Sequence, residues 1–334
     1  MFRVDALVPY DRRDASVRER VWAWSERVSP DALVRVRGGE SPLRVPRAEA
    51  SNPDSTLIFR NVSRFSQGQI ERQILRKASF GIYELDDGLF LDDGRLQELG
   101  AWWKPFVAKS RIATVGARSA DRIIAGNDSI ANWAQGFCAD TVVVPTCIDP
   151  DAYTAARHTE ECAHVLWIGT AATEVHLDAV ATQLAEVHRR TQMQLTIVGS
   201  ANRSTHSRLE PFTTRIGWYP GVEAELGTFA DVGIMPLPDR PYERMKCAYK
   251  LLQYAASGMV AVGSPVGAST TVLALLRTFA PSTPGEWVDA LTEAVTLSLS
   301  DRRARGRAAS EAVRKQYSFE VWRTRYLAAV TPGH

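Results

Sequence analysis

Short apolar runs alternate with longer segments of helical periodicity along most of this chain. In its first half the runs predict strands over 3–8, 56–59, 80–85, 122–125 and 141–145. A second series follows at 165–169, 195–199, 214–217, 232–235 and 260–263. Continuous apolar strands separated by helices are typical of parallel sheets that are covered on both faces. The pattern therefore predicts an α/β protein with two sheets.

The polar stretch 149–161 separates the two series of strands. This organisation predicts two Rossmann-like domains over 1–150 and 151–315, followed by a helix over 316–334 that begins after a break near Tyr317 and Ser318. Tandem domains of this kind place a cleft between them, and ligands of such sheets bind at the carboxyl ends of the strands.

Composition and charge exclude several classes of protein. The 334 residues are 45% apolar, with a net charge of +2 and basic residues spread along the chain, which argues against nucleic acid as a partner. No run of 18 apolar residues occurs, and residues 1–14 lead directly into a strand and a charged loop. We therefore expect a cytoplasmic protein with no signal peptide or membrane span. Its four cysteines lack CxxC spacing and are expected to be reduced thiols.

The segment 230–267 contains the strongest signal for a ligand site. An apolar strand leads into a proline-rich, charged loop, and a helix is predicted to begin near Lys246 and end at Gly258. Lys246 and Lys250 would then project from the same side of its first two turns, where the helix N-terminus already favours an anion. A phosphate or diphosphate is the predicted ligand; the alternative is a solvated helix face.

This segment resembles the donor-binding region of GT-B glycosyltransferases, most closely the retaining group classed as family 4. The resemblance rests on ADVGIMPL at 230–237 and LLQYAASGMVAV at 251–262. In the first half, SFGIYELDDGLF at 79–90, ADRIIAGN at 120–127 and VVVPTCID at 142–149 resemble motifs of the same enzymes. The resemblance implies two Rossmann-like domains facing across a cleft, with the C-terminal helix packed back on the first domain.

For the second domain, the resemblance implies a binding site for a nucleotide-sugar donor. The expected donor contacts are Gly169, Thr170, Thr173, Ile216, Gly217, Trp218, Glu243, Arg244, Lys246, Lys250, Leu251 and Gln253. Trp218 would either stack on the base or close the core, and the two threonines would either contact phosphate or cap the following helix.

The chain departs from the family at two places within this donor region. Two glutamates that the family usually carries are replaced by Met245 and Gln253, so that Glu243 is a candidate substitute. An arginine and a lysine that usually follow the first strand of the domain are absent, because residues 170–174 read TAATE. The cationic contacts would then come from Lys246, Lys250 and Arg244.

In the first domain, Asp86 and Asp87 are the candidate catalytic carboxylates, together with Lys246 and Lys250. The aspartates would form a DDG turn, bind a hydroxyl of the acceptor or donor sugar, or act as a base if burial raised a pKa. All six histidines follow residue 157, which leaves no imidazole base in the first domain. That absence favours a retaining reaction in which the departing diphosphate oxygen accepts the proton.

Ser16 and Arg18 are candidate acceptor contacts, the alternative being a helix cap and a surface charge. The resemblance implies no metal and no cofactor beyond the nucleotide-sugar cosubstrate. We expect a glycosyltransferase that uses a UDP-sugar, in natural-product or envelope glycan biosynthesis, as a monomer or homodimer. A small soluble acceptor is favoured because no strongly basic amphipathic helix is evident, and peripheral membrane contact stays open. The alternatives are an epimerase or hydrolase of the same fold, or a degenerate sugar-nucleotide-binding subunit.

Overall fold

The computed structural model describes residues 1–38, 53–63, 66–91, 109–159 and 163–333. The chain forms two compact units. The first consists of Met1–Cys147, Arg244–Cys247 and Phe319–His334, and the second of Ile148–Glu243 and Ala248–Ser318. Each unit is built around one parallel sheet, which confirms the prediction of two α/β domains. The predicted boundaries 1–150, 151–315 and 316–334 stay predictions.

The first unit contains a six-stranded parallel sheet. Its strands are β1 (Phe2–Val8), β2 (Ala32–Gly38), β3 (Ser55–Phe59), β4 (Gly81–Leu85), β5 (Arg122–Ala125) and β6 (Thr141–Val143). Their order is β2-β1-β3-β4-β5-β6. Strand β2 was not predicted, because its sequence ALVRVRG alternates apolar residues with exposed ones, as a half-solvated edge strand does.

Helices cover both faces of this sheet. On one face lie α1 (Ala15–Val17), a π-helical turn (Arg18–Trp22), α2 (Ala23–Arg27) and α13 (Phe319–Val330), and on the other α3 (Gln69–Lys77), α4 (Lys109–Ala117) and α5 (Asp128–Ala134). The Trp24 and Tyr326 rings stack with centroids 4.1 Å apart, which anchors α13 to this unit. The expected packing of the C-terminal helix on the first domain is confirmed.

The second unit contains a five-stranded parallel sheet with the order β11-β10-β7-β8-β9. Its strands are β7 (Val165–Ile168), β8 (Leu195–Gly199), β9 (Thr213–Gly217), β10 (Val232–Met235) and β11 (Val260–Gly263). All five lie within one residue of the predicted ranges. Strands β7, β8, β10 and β11 are almost continuous apolar runs and fully buried, since helices cover both faces of the sheet. Strand β9 (TTRIG) is polar and half-buried, because it lies at the edge.

Two groups of helices cover the second sheet. One face carries α6 (Val175–Asp178), α7 (Ala181–Thr191) and α11 (Pro284–Thr296). The other carries α8 (Leu226–Phe229), α9 (Tyr249–Ala256), α10 (Ala268–Leu276) and α12 (Leu299–Tyr317). The predicted break near Tyr317 and Ser318 separates α12 from α13 and is confirmed. Within the described ranges, no helix has the length and apolarity needed to cross a bilayer.

Candidate active site

The second sheet has one topological switch point, between the neighbouring strands β7 and β10. The chain leaves β7 toward α7 on one face and leaves β10 toward α9 on the opposite face. Two loops that diverge in this way open a crevice at the carboxyl ends of the strands, where open α/β sheets bind their ligands. The crevice is bordered by the loop from Gly169 to Glu174 and the loop that begins at Pro236.

Lys250 places a cation at this switch point. It lies in the first turn of α9, and its Nζ is 5.7 Å from the centroid of the Trp167 ring in β7. Gly169 lies against the same ring, since a Cβ on this residue would be 2.5 Å from Trp167. Lys250 therefore reaches from α9 over the end of β7, where an anionic ligand would also meet the N-terminal end of the α9 dipole.

The predicted helix start near Lys246 is wrong. Helix α9 begins at Tyr249, because Ala248 has a φ of 56°. This left-handed conformation is incompatible with a right-handed helix, so the helix cannot extend toward Lys246. Lys246 therefore precedes the helix and shares no helix face with Lys250. Residues Arg244–Cys247 belong to the first unit, so the two lysines lie in different units. The predicted helix end at Gly258 is nearly correct, since α9 ends at Ala256 and Gly258 has a φ of 67°.

The loop after β7 is built on its own hydrogen bonds. The Thr173 hydroxyl donates to the Thr170 carbonyl at 3.1 Å, and both threonines stay at the surface or close to it. The alternative that the threonines cap a helix is wrong. The N-cap residue of α6 is Glu174, and no side chain caps this four-residue helix. Glu174 is buried and pairs with Arg215 at 2.6 Å, which holds the loop onto β9. The threonine hydroxyls thus remain next to the switch point.

Glu243 and Gln253, the two polar residues near the family's glutamate positions, are both buried. A carboxylate oxygen of Glu243 lies 3.7 Å from Nε2 of His176, so this contact links the loop after β10 to α6. The Gln253 amide donates to the Tyr153 hydroxyl at 3.5 Å. His176 was not singled out from the sequence, because a lone histidine in a helix carries no ligand signal.

A cavity of about 390 Å³ opens at the carboxyl ends of β10 and β11. Prolines and Trp287 form its apolar walls, and the polar groups on its surface come from residues that include His176, Gln183, Asp239 and Thr283. Its mixed lining and its place beside the switch point are typical of a site for a small polar molecule.

At the end of β9, Ile216 and Gly217 are followed by an exposed tryptophan. The Trp218 side chain is 37% exposed, and its indole N–H donates to Glu223 at 3.1 Å. The alternative that this ring closes the core is therefore wrong. Gly217 pairs in register with Gly199 of β8, so no side chain rises from either strand at this edge. A flat ligand ring could lie against the backbone here, beside the indole.

The first sheet has its own switch point, between β1 and β3. The chain leaves β1 toward α1 and α2 on one face, and leaves β3 toward α3 on the other. Arg60 follows β3 directly, with a φ of 59°, and donates to the Ser16 hydroxyl at 2.8 Å. The same guanidinium donates to both carboxylate oxygens of Asp86, which follows β4. The structure thus brings Ser16 and Asp86 together through Arg60, which sequence reasoning missed.

Asp86 is held ionised by this contact. Burial acts to raise the pKa of the Asp86 carboxyl, but the charge of Arg60 and its hydrogen bonds outweigh burial and hold the pKa below its usual value. The alternative that burial turns Asp86 into a base is therefore wrong. Asp87 forms the predicted turn, since its carboxylate accepts from the Gly88 N–H at 2.9 Å. Arg18 pairs with Glu19 at 2.9 Å.

Beneath this site lies a second buried ion pair. The Arg20 guanidinium donates to Glu84 at 2.8 Å and to the Val144 carbonyl at 2.7 Å, and both side chains are 1% exposed. Close by, the Cys247 thiol donates to the Asp86 carbonyl at 3.1 Å, which fixes the segment 244–247 to the ends of β4 and β5. The site around Arg60 and Asp86 is therefore supported by a second buried pair of oppositely charged side chains.

The two parallel sheets, with helices on both faces and a switch point in each, define the fold class of the GT-B glycosyltransferases. Neither a family model nor a curated protein sequence matches the chain.

Solved structures with this fold do match it. WaaG, a glycosyltransferase involved in lipopolysaccharide biosynthesis, has 14% identity and a TM-score of 0.62, with coverage of 98% of this chain and 100% of that one. HepE from Anabaena, in complex with UDP and glucose, has 10% identity and a TM-score of 0.68, with coverage of 98% and 99%. A UDP-forming trehalose-phosphate synthase from Burkholderia xenovorans has 12% identity and a TM-score of 0.65, with 99% of both chains covered. At such identities the likeness is one of fold.

Proposed function

We propose that this protein is a glycosyltransferase that moves a sugar from a nucleotide diphosphate to a hydroxyl acceptor. The observation that carries the proposal is the Lys250 ammonium beside Trp167 at the switch point of the second unit, where a diphosphate would meet both a cation and a helix N-terminus. The donor is a UDP-sugar in this proposal, supported by the complexes of HepE with UDP and glucose and of an E. coli neighbour with UDP-2-fluoro glucose.

Most of the proposed donor contacts lie in the second unit, and we assign a chemical role to those named next. Lys250 and the backbone at Leu251 bind the diphosphate, with the hydroxyls of Thr170 and Thr173 as further donors. Glu243 binds a sugar hydroxyl, and the edge formed by Ile216, Gly217 and Trp218 holds the base. Gly169, Arg244, Lys246 and Gln253 remain proposed donor contacts.

The acceptor is proposed to bind in the first unit, at Ser16, Arg18 and Asp86. Because Arg60 keeps Asp86 ionised, its carboxylate accepts a hydrogen bond from the acceptor hydroxyl and orients it, without taking the proton. In a retaining reaction the departing diphosphate oxygen takes that proton, and the cation at Lys250 stabilises the charge that develops there. We propose that no metal takes part, and that the transferred group is a hexosyl or N-acetylhexosaminyl unit.

The proposed setting is natural-product or envelope glycan biosynthesis in the cytoplasm, with the chain acting as a monomer or homodimer. Its acceptor is a small molecule or a glycan.

Nucleotide binding tests the proposal directly. Thermal shift and calorimetry with UDP, GDP, TDP and ADP would be run on the wild type, on Lys250→Ala and on Lys315→Ala, a matched exposed lysine of α12. A ligand at about 100 times its Kd stabilises the fold by about 2.7 kcal/mol. We expect UDP to stabilise the wild type and Lys315→Ala, and Lys250→Ala to lose most of this effect. No response to any of the four nucleotides would contradict the proposed donor site.

Turnover then separates transfer from hydrolysis. With a UDP-sugar and a panel of hydroxyl acceptors, we expect UDP release that requires an acceptor, an unchanged rate in EDTA, and an α-linked product from an α-linked donor. Equal UDP release without any acceptor would instead identify a hydrolase.

A further inference from the structure

A buried histidine joins the segment that leads into β7 to two other parts of the second unit. The His158 side chain is 3% exposed, and each of its ring nitrogens lies close to an oxygen. Nδ1 is 2.8 Å from a carboxylate oxygen of Asp231, which directly precedes β10. Nε2 is 2.9 Å from the carbonyl oxygen of Gly258, just past the C-terminal end of α9. We call these two contacts the His158 clasp.

Both oxygens of the clasp can only accept a hydrogen bond, which fixes the state of the ring. A backbone carbonyl has no proton, so Nε2 must donate to Gly258. Burial acts to raise the pKa of the Asp231 carboxyl. Hydrogen bonds from His158 and from the His164 N–H, together with the positive charge of a neighbouring arginine, outweigh burial and hold that pKa below its usual value. Asp231 is therefore a carboxylate, and Nδ1 must donate to it. Only an imidazolium carries a proton on both nitrogens, so the clasp requires a charged ring.

The neighbouring arginine lies on α12, which contacts the same segment. Arg302 pairs with Asp231 at 3.1 Å, so that this carboxylate faces two cations. Arg302 also donates to the Thr159 carbonyl at 2.8 Å, and Arg303 donates to the His158 carbonyl at 3.2 Å. Among the described residues, these two arginines are the other charged side chains that contact His158 or Asp231. The carbonyl groups at the end of α9 carry the negative end of its dipole, which favours a second positive charge there.

The backbone of the same segment is held in an unfavourable conformation. His158 has a φ of 26°, in a region that residues other than glycine rarely adopt. Such a conformation persists where the surrounding contacts impose it. Close by, the Ala156 N–H donates to the Ser257 carbonyl at 2.8 Å. Loss of the ring contacts would therefore release residues 156–159 from the end of α9.

We propose that the His158 clasp is a pH-sensitive switch that fastens residues 156–159 to the ends of α9 and β10. When the pH rises and the ring loses one proton, a bare nitrogen faces either the Gly258 carbonyl or the Asp231 carboxylate. One hydrogen bond is then replaced by repulsion between lone pairs, and the clasp opens. At the acid end, the clasp weakens as the pH falls through the lowered pKa of Asp231, because the anion is lost. The proposal concerns the second unit alone and does not depend on the proposed transferase function.

Tryptic cleavage of the native full chain tests the clasp. Arg157 is exposed and directly precedes His158, so cleavage after it reports on release of this segment. At each pH the rate would be divided by the rate for a free peptide of the same sequence, which removes the pH dependence of trypsin itself. We expect this ratio to rise about tenfold or more between about pH 6 and about pH 9, since one hydrogen bond to a charged group is lost.

Two variants assign the effect to the buried ring. His158→Gln cannot donate from both of its side-chain ends, so its cleavage ratio should already be high at the lower pH and should change little. His164→Gln removes an exposed imidazole from the same unit and should keep the wild-type profile. Thermal melts at both pH values would check that each protein is folded.

Nuclear magnetic resonance counts the ring protons directly and needs no variant. Histidine labelled with ¹⁵N gives different signals for protonated and bare ring nitrogens, and the His158 ring would be assigned through its backbone resonances. We expect two protonated nitrogens in His158 at a pH where the exposed ring of His164 has already lost one proton.

Three results would overturn the proposal. The first is a single protonated nitrogen in His158 under those conditions. The second is a cleavage ratio after Arg157 that does not vary with pH. The third is an equal rise of that ratio in the wild type and in His158→Gln.

Discussion

The guanidinium of Arg60 donates to both carboxylate oxygens of Asp86, from Nε at 2.6 Å and from Nη2 at 2.9 Å. Both side chains are largely buried, at 14% and 8% exposed. Because both charges have left water, neither can lose its partner without leaving an unpaired charge inside the fold. This pair lies at the switch point of the first sheet and determines that Asp86 stays ionised.

Arg60→Gln should lower the free energy of unfolding by about 3–5 kcal/mol at pH 7, since it leaves Asp86 buried and unpaired. In the wild type the folded pKa of Asp86 is depressed, so its stabilisation is present above the unfolded pKa of about 3.9 and is lost as the pH falls through the folded pKa. In the variant the opposing charge of Arg60 is gone, so the pKa of Asp86 rises relative to the wild type, and protonation relieves the unpaired charge. The difference in stability between variant and wild type should therefore shrink as the pH falls.

Urea denaturation at several pH values measures this difference. The control is Arg12→Gln, whose partner Glu26 is 54% exposed, and its cost should stay within about 1 kcal/mol. A loss for Arg60→Gln that does not vary with pH would contradict the assigned role of Asp86.

Ala248→Gly should stabilise the protein by up to about 1 kcal/mol. A left-handed backbone costs a non-glycine residue about 1–2 kcal/mol, and Ala248 adopts one with a φ of 56°. The same substitution at Ala255, inside α9, should instead cost about 1 kcal/mol or more. Chemical denaturation of the two variants compares their free energies of unfolding. A decrease for both variants would show that the left-handed turn before α9 is not strained.

Gly306→Ala should destabilise the protein, although glycine within a helix usually gains about 1 kcal/mol on this change. A Cβ at position 306 would lie 1.9 Å from the carbonyl oxygen of Gly258, so α12 would have to move away from the end of α9. Overpacking of this kind costs about 1–3 kcal/mol. Gly285→Ala in the first turn of α11, where no atom lies within 4 Å, is the control and should be neutral or stabilising. Thermal melts showing a higher Tm for Gly306→Ala would refute the close approach of the helices.

Cys147 should resist alkylation in the native protein. Burial raises the pKa of its thiol to about 12, with Arg20 as a partial offset, so little thiolate is present near pH 8. Mass spectrometry after iodoacetamide treatment, with and without urea, would locate the modified residue. We expect Cys147 to be modified only once the chain unfolds, with Cys147→Ser as the reference for its peptide. Equal labelling of native and unfolded protein would show that the thiol is accessible.

Much of the fold could be predicted from the sequence. Ten of the eleven strands in the described residues were predicted from the sequence, and most of these are short apolar runs whose burial is a local property of the chain. The edge strand β2 was not predicted, because one of its faces is exposed to solvent and its arginines interrupt the apolar run. The start of α9 was predicted too early, because Ala248 adopts a left-handed conformation and an alanine gives no sequence signal for that conformation.

The candidate sites depended more on tertiary structure. Asp86 and Ser16 were singled out from the sequence, but Arg60, which joins them, was not, because only the pairing of β1, β3 and β4 brings the three residues together.

The sequence by itself determined two parallel α/β sheets, all of their described strands except β2, the break before the last helix and the resemblance to a fold class. Only the tertiary structure decided which charges are paired inside the fold and that Lys246 and Lys250 lie in different units. Strand formation follows from the nearest neighbours along the chain. Charge pairing follows from the order of strands in a sheet and from single backbone angles, which bring together residues far apart in the sequence.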